Sequence, residues 1–412
     1  MKRVVITGLG ILSSIGRNRQ EVLKSLMDQR TGIVFHQEFA DLGFRSHVCG
    51  TVDTDPSESV PRKLLRFMGD GTAYNYVAMV EALEDARLSQ DDISNPSTGL
   101  IMGSGVASGL PLVEMADTLR QRGARRVGPF NVPKLMSSGN SANLSTAFKI
   151  KGYNYTISSA CATSGHCLGN AYQLIQMGQQ DLMFVGGGDE ISWTVAIPFD
   201  AMGALSSRYN DTPDKASRTY DRDRDGFVIS GGGGVIVLEE YDRAKARGAK
   251  IYCEVKGYGA TSDGDDMVRP SGDGAHRCME MALKTVDGPI DYVNTHGTST
   301  PAGDIVELEA IREAFDSGPS SRQPDIPAIS STKSLTGHAL GAAAVHEAIY
   351  CILMLEHDFI CPSVNIDHLD PKAEGYPIVH TMVTQAGLRN VMSNSFGFGG
   401  TNCTLVFGKI ED

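Results

Sequence analysis

The chain has 412 residues, 41% of them hydrophobic and 21% charged, the profile of a globular protein too long for one average domain, so two similar-sized halves are expected. Its net charge of −12, from 37 basic and 49 acidic residues, argues against a general nucleic-acid or anionic-membrane binder, while leaving room for a local basic patch. The eight cysteines, Cys49, Cys161, Cys167, Cys253, Cys278, Cys351, Cys361 and Cys403, form no CxxC pair and keep no regular spacing. That weighs against a zinc site or a disulfide framework and for free thiols in a reducing cytoplasm.

The opening MKRVVITGLGI has too short an apolar run for a signal peptide, and no run of about 18 apolar residues predicts a membrane span. Val4–Ile6 followed by Gly-Leu-Gly reads as a buried strand ending in a tight turn. It is no dinucleotide fingerprint, because Ser13 stands where the third glycine belongs. Further apolar strands are expected at Gly99–Met102, Tyr155–Ser158, Leu182–Val185, Gly234–Leu238, Tyr292–Asn294 and Thr404–Phe407, with helical segments between them. This alternation predicts α/β layers with a mostly parallel sheet. The charged, glycine-broken stretch Tyr241–Lys250 reads as the connection between halves, dividing the chain at 1–248 and 249–412. A polar, Pro-containing loop is expected over Asp316–Pro327.

An internal repeat supports the division. SSACATSGHCLGNA and SSTKSLTGHALGAA align at an offset of 172 residues. Ser158, Ser159, Gly165, His166, Leu168, Gly169 and Ala171 match Ser330, Ser331, Gly337, His338, Leu340, Gly341 and Ala343, and Cys161 falls opposite Lys333. The starts of the halves also correspond, VITGLGILSS against EVKGYGATSD. Two copies of one α/β unit explain the pattern.

Cys161 lies on an expected strand-to-helix turn among small residues. There the positive end of a helix dipole favours a thiolate, and a substrate can approach closely; a small buried core thiol is the competing reading. His296, in NTHGTSTPAGD after the strand Tyr292–Asn294, and His338, in TKSLTGHALG, are placed to offer N–H donors to a developing oxyanion, against the ordinary fate of a hydrogen-bonded structural histidine. His166 and Cys167 read as structural. Lys333 in a small-residue segment points to a paired charge, and Asp304 and Glu307 follow His296 on a helix where they can pair with it. The glycine-rich run SNSFGFGGTN before the last strand can aim backbone N–H groups at an oxygen, with Phe398 as a gate, although a plain turn would look the same. DRDRDG at 221–226 imitates a calcium loop, but its twelfth position is Gly232 rather than Glu. No GxSxG elbow is present.

Together, SSACATSGHCLG around Cys161, NTHGTSTPAGD around His296, SSTKSLTGHALGAA around Lys333 and His338, and NSFGFGGTN resemble the β-ketoacyl-[acyl-carrier-protein] synthases of the thiolase superfamily. The order Cys, His, His is that of the elongating enzymes. FDAMGAL, YNDTPDKASR, DGFVISGGGG and VKGYGATSDG are similar to the synthase I type. The resemblance implies a thiolase-like five-layer αβαβα fold with two pseudo-twofold halves, a homodimer, and a cytoplasmic enzyme of fatty acid biosynthesis that needs no cofactor or metal, since phosphopantetheine arrives on the acyl carrier protein. It implies Cys161 as the acyl carrier, His296 and His338 as the pair promoting malonyl decarboxylation, and Lys333 paired with Glu307. It assigns the oxyanion hole to the N–H groups of Cys161 and Phe398, the pantetheine arm to Thr298 and Thr300, and the acyl pocket to Ala107 and Met202. Arg62, Lys63 and Arg66 match the family's carrier-docking residues, with Arg45, Arg122 and Arg125 added. Three features depart from the family pattern: Gly165, the length of the 316–327 loop, and the segment Gly105–Leu112, so acyl chain length stays open. A ketosynthase of a polyketide or aryl-polyene pathway is the alternative. A thiolase would need a second cysteine in the C-terminal glycine loop, and a non-catalytic chain-length partner would usually lack Cys161.

Overall fold

The computed structural model describes residues 1–317 and 325–410; most of the expected 316–327 loop lies outside them. Ten strands form the main sheet: β1 (Val4–Leu12), β2 (Thr98–Gly103), β3 (Asn154–Tyr155), β4 (Leu182–Asp189), β5 (Gly232–Glu240), β6 (Cys253–Ser262), β7 (Tyr292–Asn294), β8 (Ala328–Ser330), β9 (Asn390–Gly397) and β10 (Thr401–Gly408). Their spatial order is β8-β7-β9-β10-β6-β1-β5-β4-β2-β3. Read outward from the centre, β1-β5-β4-β2-β3 and β6-β10-β9-β7-β8 are the same arrangement twice. In each, the inner pairings are antiparallel and the outer two parallel. The first set falls within 1–248 and the second within 249–412. Among the described strands the two sets are joined by Val5–Glu254 and Ile6–Cys253, antiparallel.

The expectation of a mostly parallel sheet is therefore corrected: the long central ladders are antiparallel. Strand alternation with helices was visible in the sequence, but pairing direction depends on which strands become neighbours. One strand expectation also shifts, and three strands were not expected. Residues 156–158 leave the sheet after β3, and β6, β8 and β9 went unread. In β6 alternate residues are only partly buried, so it carries Glu254 and Lys256 among its apolar positions.

Helices complete the layers. Of the helices that matter here, α1 (Asp70–Ala86) covers β1, β5 and β4 on the outside, and α4 (Asp273–Leu283) covers β6 and β10. Between the two halves lie α2 (Thr163–Gln176) and α6 (Ala343–His357), which pack on each other and on strands of both halves. Two further helices, α3 (Trp193–Ala201) and α5 (Gly303–Ser317), flank the site. Every residue of α6 from Ala343 to Leu355 is buried, as the central layer of five requires. The paired glycines of the two half-starts now have a physical reason. A Cβ on Gly8 or Gly10 would collide with the Ala82 or Ala78 carbonyl of α1, and one on Gly257 or Gly259 with the Ala282 or Cys278 carbonyl of α4. The Gly-Leu-Gly that imitates a nucleotide turn is a close helix-on-strand contact, made once in each half.

Candidate active site

Cys161 sits between the two halves. Its turn is closed by hydrogen bonds from Ala162 N to Ser159 O (3.1 Å) and Thr163 N to Ala160 O (3.2 Å), and Ala160 takes a left-handed φ of 49°. The thiol thus stands just ahead of α2, as the sequence predicted. His338 Nε2 lies 3.0 Å from its sulfur. The His338 backbone is held on both sides, with His338 N donating to Val228 O (2.8 Å) and Ser230 N to His338 O (2.9 Å). The His296 ring stands nearly perpendicular to that of His338, centroids 5.2 Å apart. The ligating atoms of the three side chains lie within 4.8 Å of one another.

The electrostatics of the cluster are set by burial and one lysine. Burial and the Lys333 ammonium hold both imidazoles well below the usual histidine range, and for His296 the neighbouring His338 adds to this. Both rings are therefore neutral at physiological pH. Burial also pushes the Cys161 thiol up to about 12, against the opposing pull of Lys333 and of the backbone N–H groups of Phe398 and of Cys161 itself, which donate toward the sulfur. The sequence pointed to a favoured thiolate at the helix start; burial acts the other way and is the largest influence on this thiol.

Lys333 is 2% exposed and its ammonium is bound by Glu347, also 2% exposed. This corrects the expected Lys333–Glu307 pairing. Glu307 instead accepts from the backbone N–H groups of His296 and Gly297, both at 2.8 Å, so it fixes the His296 turn. Glu307 and Glu347 are each raised to about 7 by burial, despite Lys333. Glu347 went unread because it sits mid-helix, although a carboxylate inside the apolar run GAAAVHEAIY was a sign of a buried partner. Asp304 anchors the next turn by accepting from Thr298 N (3.0 Å) and Thr300 N (3.2 Å) and pairing with buried Arg224 (3.2 Å). Arg224 belongs to the DRDRDG segment, so the calcium-loop imitation is an ion-pair brace: Arg224 also holds Asp370, and Arg218 pairs with Asp221 and Asp367.

A cavity of roughly 320 Å³ opens over this cluster, lined by Cys161, His296, His338, Thr298, Thr300, Met202 and Phe398, with Phe199, Phe227 and Leu340 as apolar walls the sequence had not marked. Thr298 and Thr300 face each other, Oγ1 atoms 3.1 Å apart. Ala107 does not line it, contrary to expectation; it borders a smaller pocket with Thr72, Met136 and Glu190. The segment either side of Ala107 is held at the end of β4: Asp189 accepts from Ser104 Oγ and from Gly105 N and Val106 N, while Glu190 binds Ser108 and Gly109 N.

The basic residues are exposed. Arg62 and Lys63 lie on a short helix, Arg62–Leu65. Arg66 packs over the rings of Phe67 (4.8 Å) and Phe130 (4.7 Å). Arg122 ends the helix Leu110–Arg122, Arg125 lies just beyond it, and Arg45 is tied to Asp200. All eight cysteines are free, and no helix among the described residues is long and apolar enough to cross a membrane.

Layered fold and site define a class, and the comparisons agree. Residues 1–244 match the family described as "Beta-ketoacyl synthase, N-terminal domain" and residues 252–367 its C-terminal domain: the chain belongs to the β-ketoacyl synthase family. Within that family it is 60% identical to 3-oxoacyl-[acyl-carrier-protein] synthase 1 of Escherichia coli, covering 100% of both chains, and 58% identical to the protein of the same name from Haemophilus influenzae, covering 99% of both. A crystal structure of a β-ketoacyl synthase from Burkholderia phymatum superposes with a TM-score of 0.92 at 34% identity over 100% of both chains. A type II polyketide ketosynthase bound to its acyl-carrier protein superposes at 0.88 with 27% identity, also over 100% of both chains.

Proposed function

We propose that this enzyme is an elongating acyltransferase that condenses acyl-ACP with malonyl-ACP to 3-oxoacyl-ACP in type II fatty acid biosynthesis. The observation that carries the reading is the Cys161 sulfur 3.0 Å from a neutral His338, with His296 beside it. The Cys161 sulfur attacks the acyl thioester, the bond to the pantetheine sulfur breaks, and the carrier thiol leaves with the proton. The N–H groups of Cys161 and Phe398 receive the oxyanion. Malonyl-ACP then loses carbon dioxide. The electron pair of the broken carbon–carbon bond becomes an enolate, stabilised by the imidazoles of His296 and His338. Its carbon attacks the acyl-Cys161 carbonyl, and the Cys161 thiolate leaves. Lys333 and Glu347 set the local field, Glu307 fixes His296, and Thr298 and Thr300 hold the pantetheine arm in the cavity where Met202 and the phenylalanine walls take the acyl chain. Ala107 would reach the chain only from the neighbouring pocket.

The Cys161, His296 and His338 ligand atoms stand close enough to hold a metal, but the ammonium of Lys333 that depresses both imidazoles would also repel a cation, so the cluster is read as metal-free. Carrier docking is assigned to the exposed Arg45, Arg62, Lys63, Arg66, Arg122 and Arg125, basic groups on a chain of net charge −12 that an acidic carrier would find by steering. Homodimer formation is supported by the position of β3 at the sheet edge and by the exposed apolar side chains of Leu112, Leu119 and Val132, at 52%, 51% and 74%. Free cysteines fit a cytoplasmic setting. The halves 1–248 and 249–412 divide the work: the first brings the nucleophile, the second the histidines and lysine. The polyketide alternative is not favoured, given identities of 58% and 60% to synthase 1 relatives.

Intact-mass analysis after incubation with acyl-ACP tests the reading. The acyl mass is expected on wild type and absent from Cys161→Ala, which also loses condensation. Normal elongation by Cys161→Ala would overturn it.

A further inference from the structure

The two N–H groups assigned to the oxyanion hole come from different halves of the molecule. Cys161 lies on the turn before α2, and Phe398 on the hairpin tip between β9 and β10. Their spacing depends on what ties turn to hairpin. One contact is steric: a Cβ on Gly397 would lie 3.0 Å from Cys161 N and 3.1 Å from the Ala160 Cβ. The polar tie is His166, whose Nδ1 lies 2.7 Å from Ser159 Oγ and whose Nε2 lies 3.1 Å from Asn402 O. A carbonyl can only accept, so Nε2 carries the proton and Nδ1 accepts from the Ser159 hydroxyl. Ser159 belongs to the nucleophile turn, where it bridges to Cys161 and its own N–H is bound by Thr163 Oγ1 at 2.8 Å. Asn402 pairs with Phe396 in the β9–β10 ladder, at the base of the hairpin tip, and its side chain is held by Asp263 at 2.7 Å. The imidazole also stands edge-on to Tyr258, centroids 6.4 Å apart. Burial holds it below the ordinary histidine range, which keeps this donor–acceptor pattern in place.

We propose that His166 is a positioning residue for acyl transfer: by accepting from Ser159 and donating to the Asn402 carbonyl, it sets the separation of the Cys161 and Phe398 N–H groups. The inference rests on Cys161 being the acylated residue. It reaches the oxyanion hole but not the His296–His338 pair, whose turns are held by Glu307 and by residues 228–230. Loss of the strut therefore slows the step that needs the hole and spares the step that needs the imidazoles. Misplacing a donor by about 1 Å is enough for a substantial rate loss.

The experiment uses full-length His166→Leu, which loses both the donor toward Asn402 and the acceptor for Ser159, together with Ser159→Ala and the double variant. The rate of Cys161 acylation from acyl-ACP is followed by intact mass, malonyl-ACP decarboxylation is measured without an acyl primer, and melting temperature is recorded for each protein. Acylation is expected to fall about tenfold or more in either single variant, with decarboxylation changed less than about twofold and the double variant no worse than the singles. Unchanged acylation in both single variants would overturn the proposal, as would parallel losses of both activities that track melting temperature. If wild type itself takes no acyl group at Cys161, the underlying reading fails and this one with it. Acylation of wild type with indifferent variants overturns the strut alone.

Discussion

Cys161 experiences opposed influences: burial raises its thiol, while Lys333 and two backbone N–H groups favour the thiolate. An imidazole at 3.0 Å supplies what the dipole cannot, a nitrogen able to take the proton or, in the other tautomer, donate to the anion. His338→Ala is therefore expected to abolish malonyl decarboxylation and also to slow Cys161 acylation, read by carbon dioxide release and by intact mass. Lys333 acts through its charge. Lys333→Met should leave Glu347 as a lone buried carboxylate and cost about 3–5 kcal/mol near pH 8, measured by urea titration; adding Glu347→Leu should restore much of it. The same variant removes a positive charge that depresses both imidazoles, so ring titrations followed by NMR should move upward. Cys161, His296, His338 and Lys333 were legible because each lies in a motif of unusual local composition. Glu347 was not, because its partner is 14 residues away on a separate element.

At the scale of elements, close approach governs. Gly10 and Gly259 let a helix lie directly on a strand in each half. Gly10→Ala forces α1 away from β1 and should lower stability by about 1–3 kcal/mol, seen as a reduced melting temperature. Gly397 is a different case: its neighbours need yield only slightly to admit a methyl group, and those neighbours are the Cys161 N–H, the Thr401 side chain and Ala160. Gly397→Ala should slow acylation with little change in melting temperature, because the Cys161 N–H it displaces belongs to the proposed oxyanion hole and not to the apolar core. The sequence marked these glycines without saying which were turns and which were contacts. Helix-on-strand packing is absent from local pattern, so Gly-Leu-Gly looked like a turn.

For the whole molecule, buried carboxylates make stability depend on pH. Burial raises Asp189 and Asp304 to about 6 and Glu307 and Glu347 to about 7. Such a group is protonated in both states at low pH; as pH rises past its unfolded value the unfolded chain loses the proton first. Its contribution to stability is thus full below about 4, shrinks as pH rises, and is gone by about 7. Urea midpoints at pH 5 and pH 8 should show this decline for wild type and a smaller one for Glu347→Gln; an equal decline would count against a raised Glu347. The sequence by itself determined the layered α/β class, and it marked the internal repeat and Cys161, His296, His338 and Lys333 as a candidate cluster, because repeats and small-residue motifs are written locally. Only the tertiary structure decided pairing direction, the Lys333–Glu347 bond, the separation of Ala107 from the catalytic cavity and the strut through His166. Each of these depends on which distant segments pack together, and packing is settled by the burial of the whole chain.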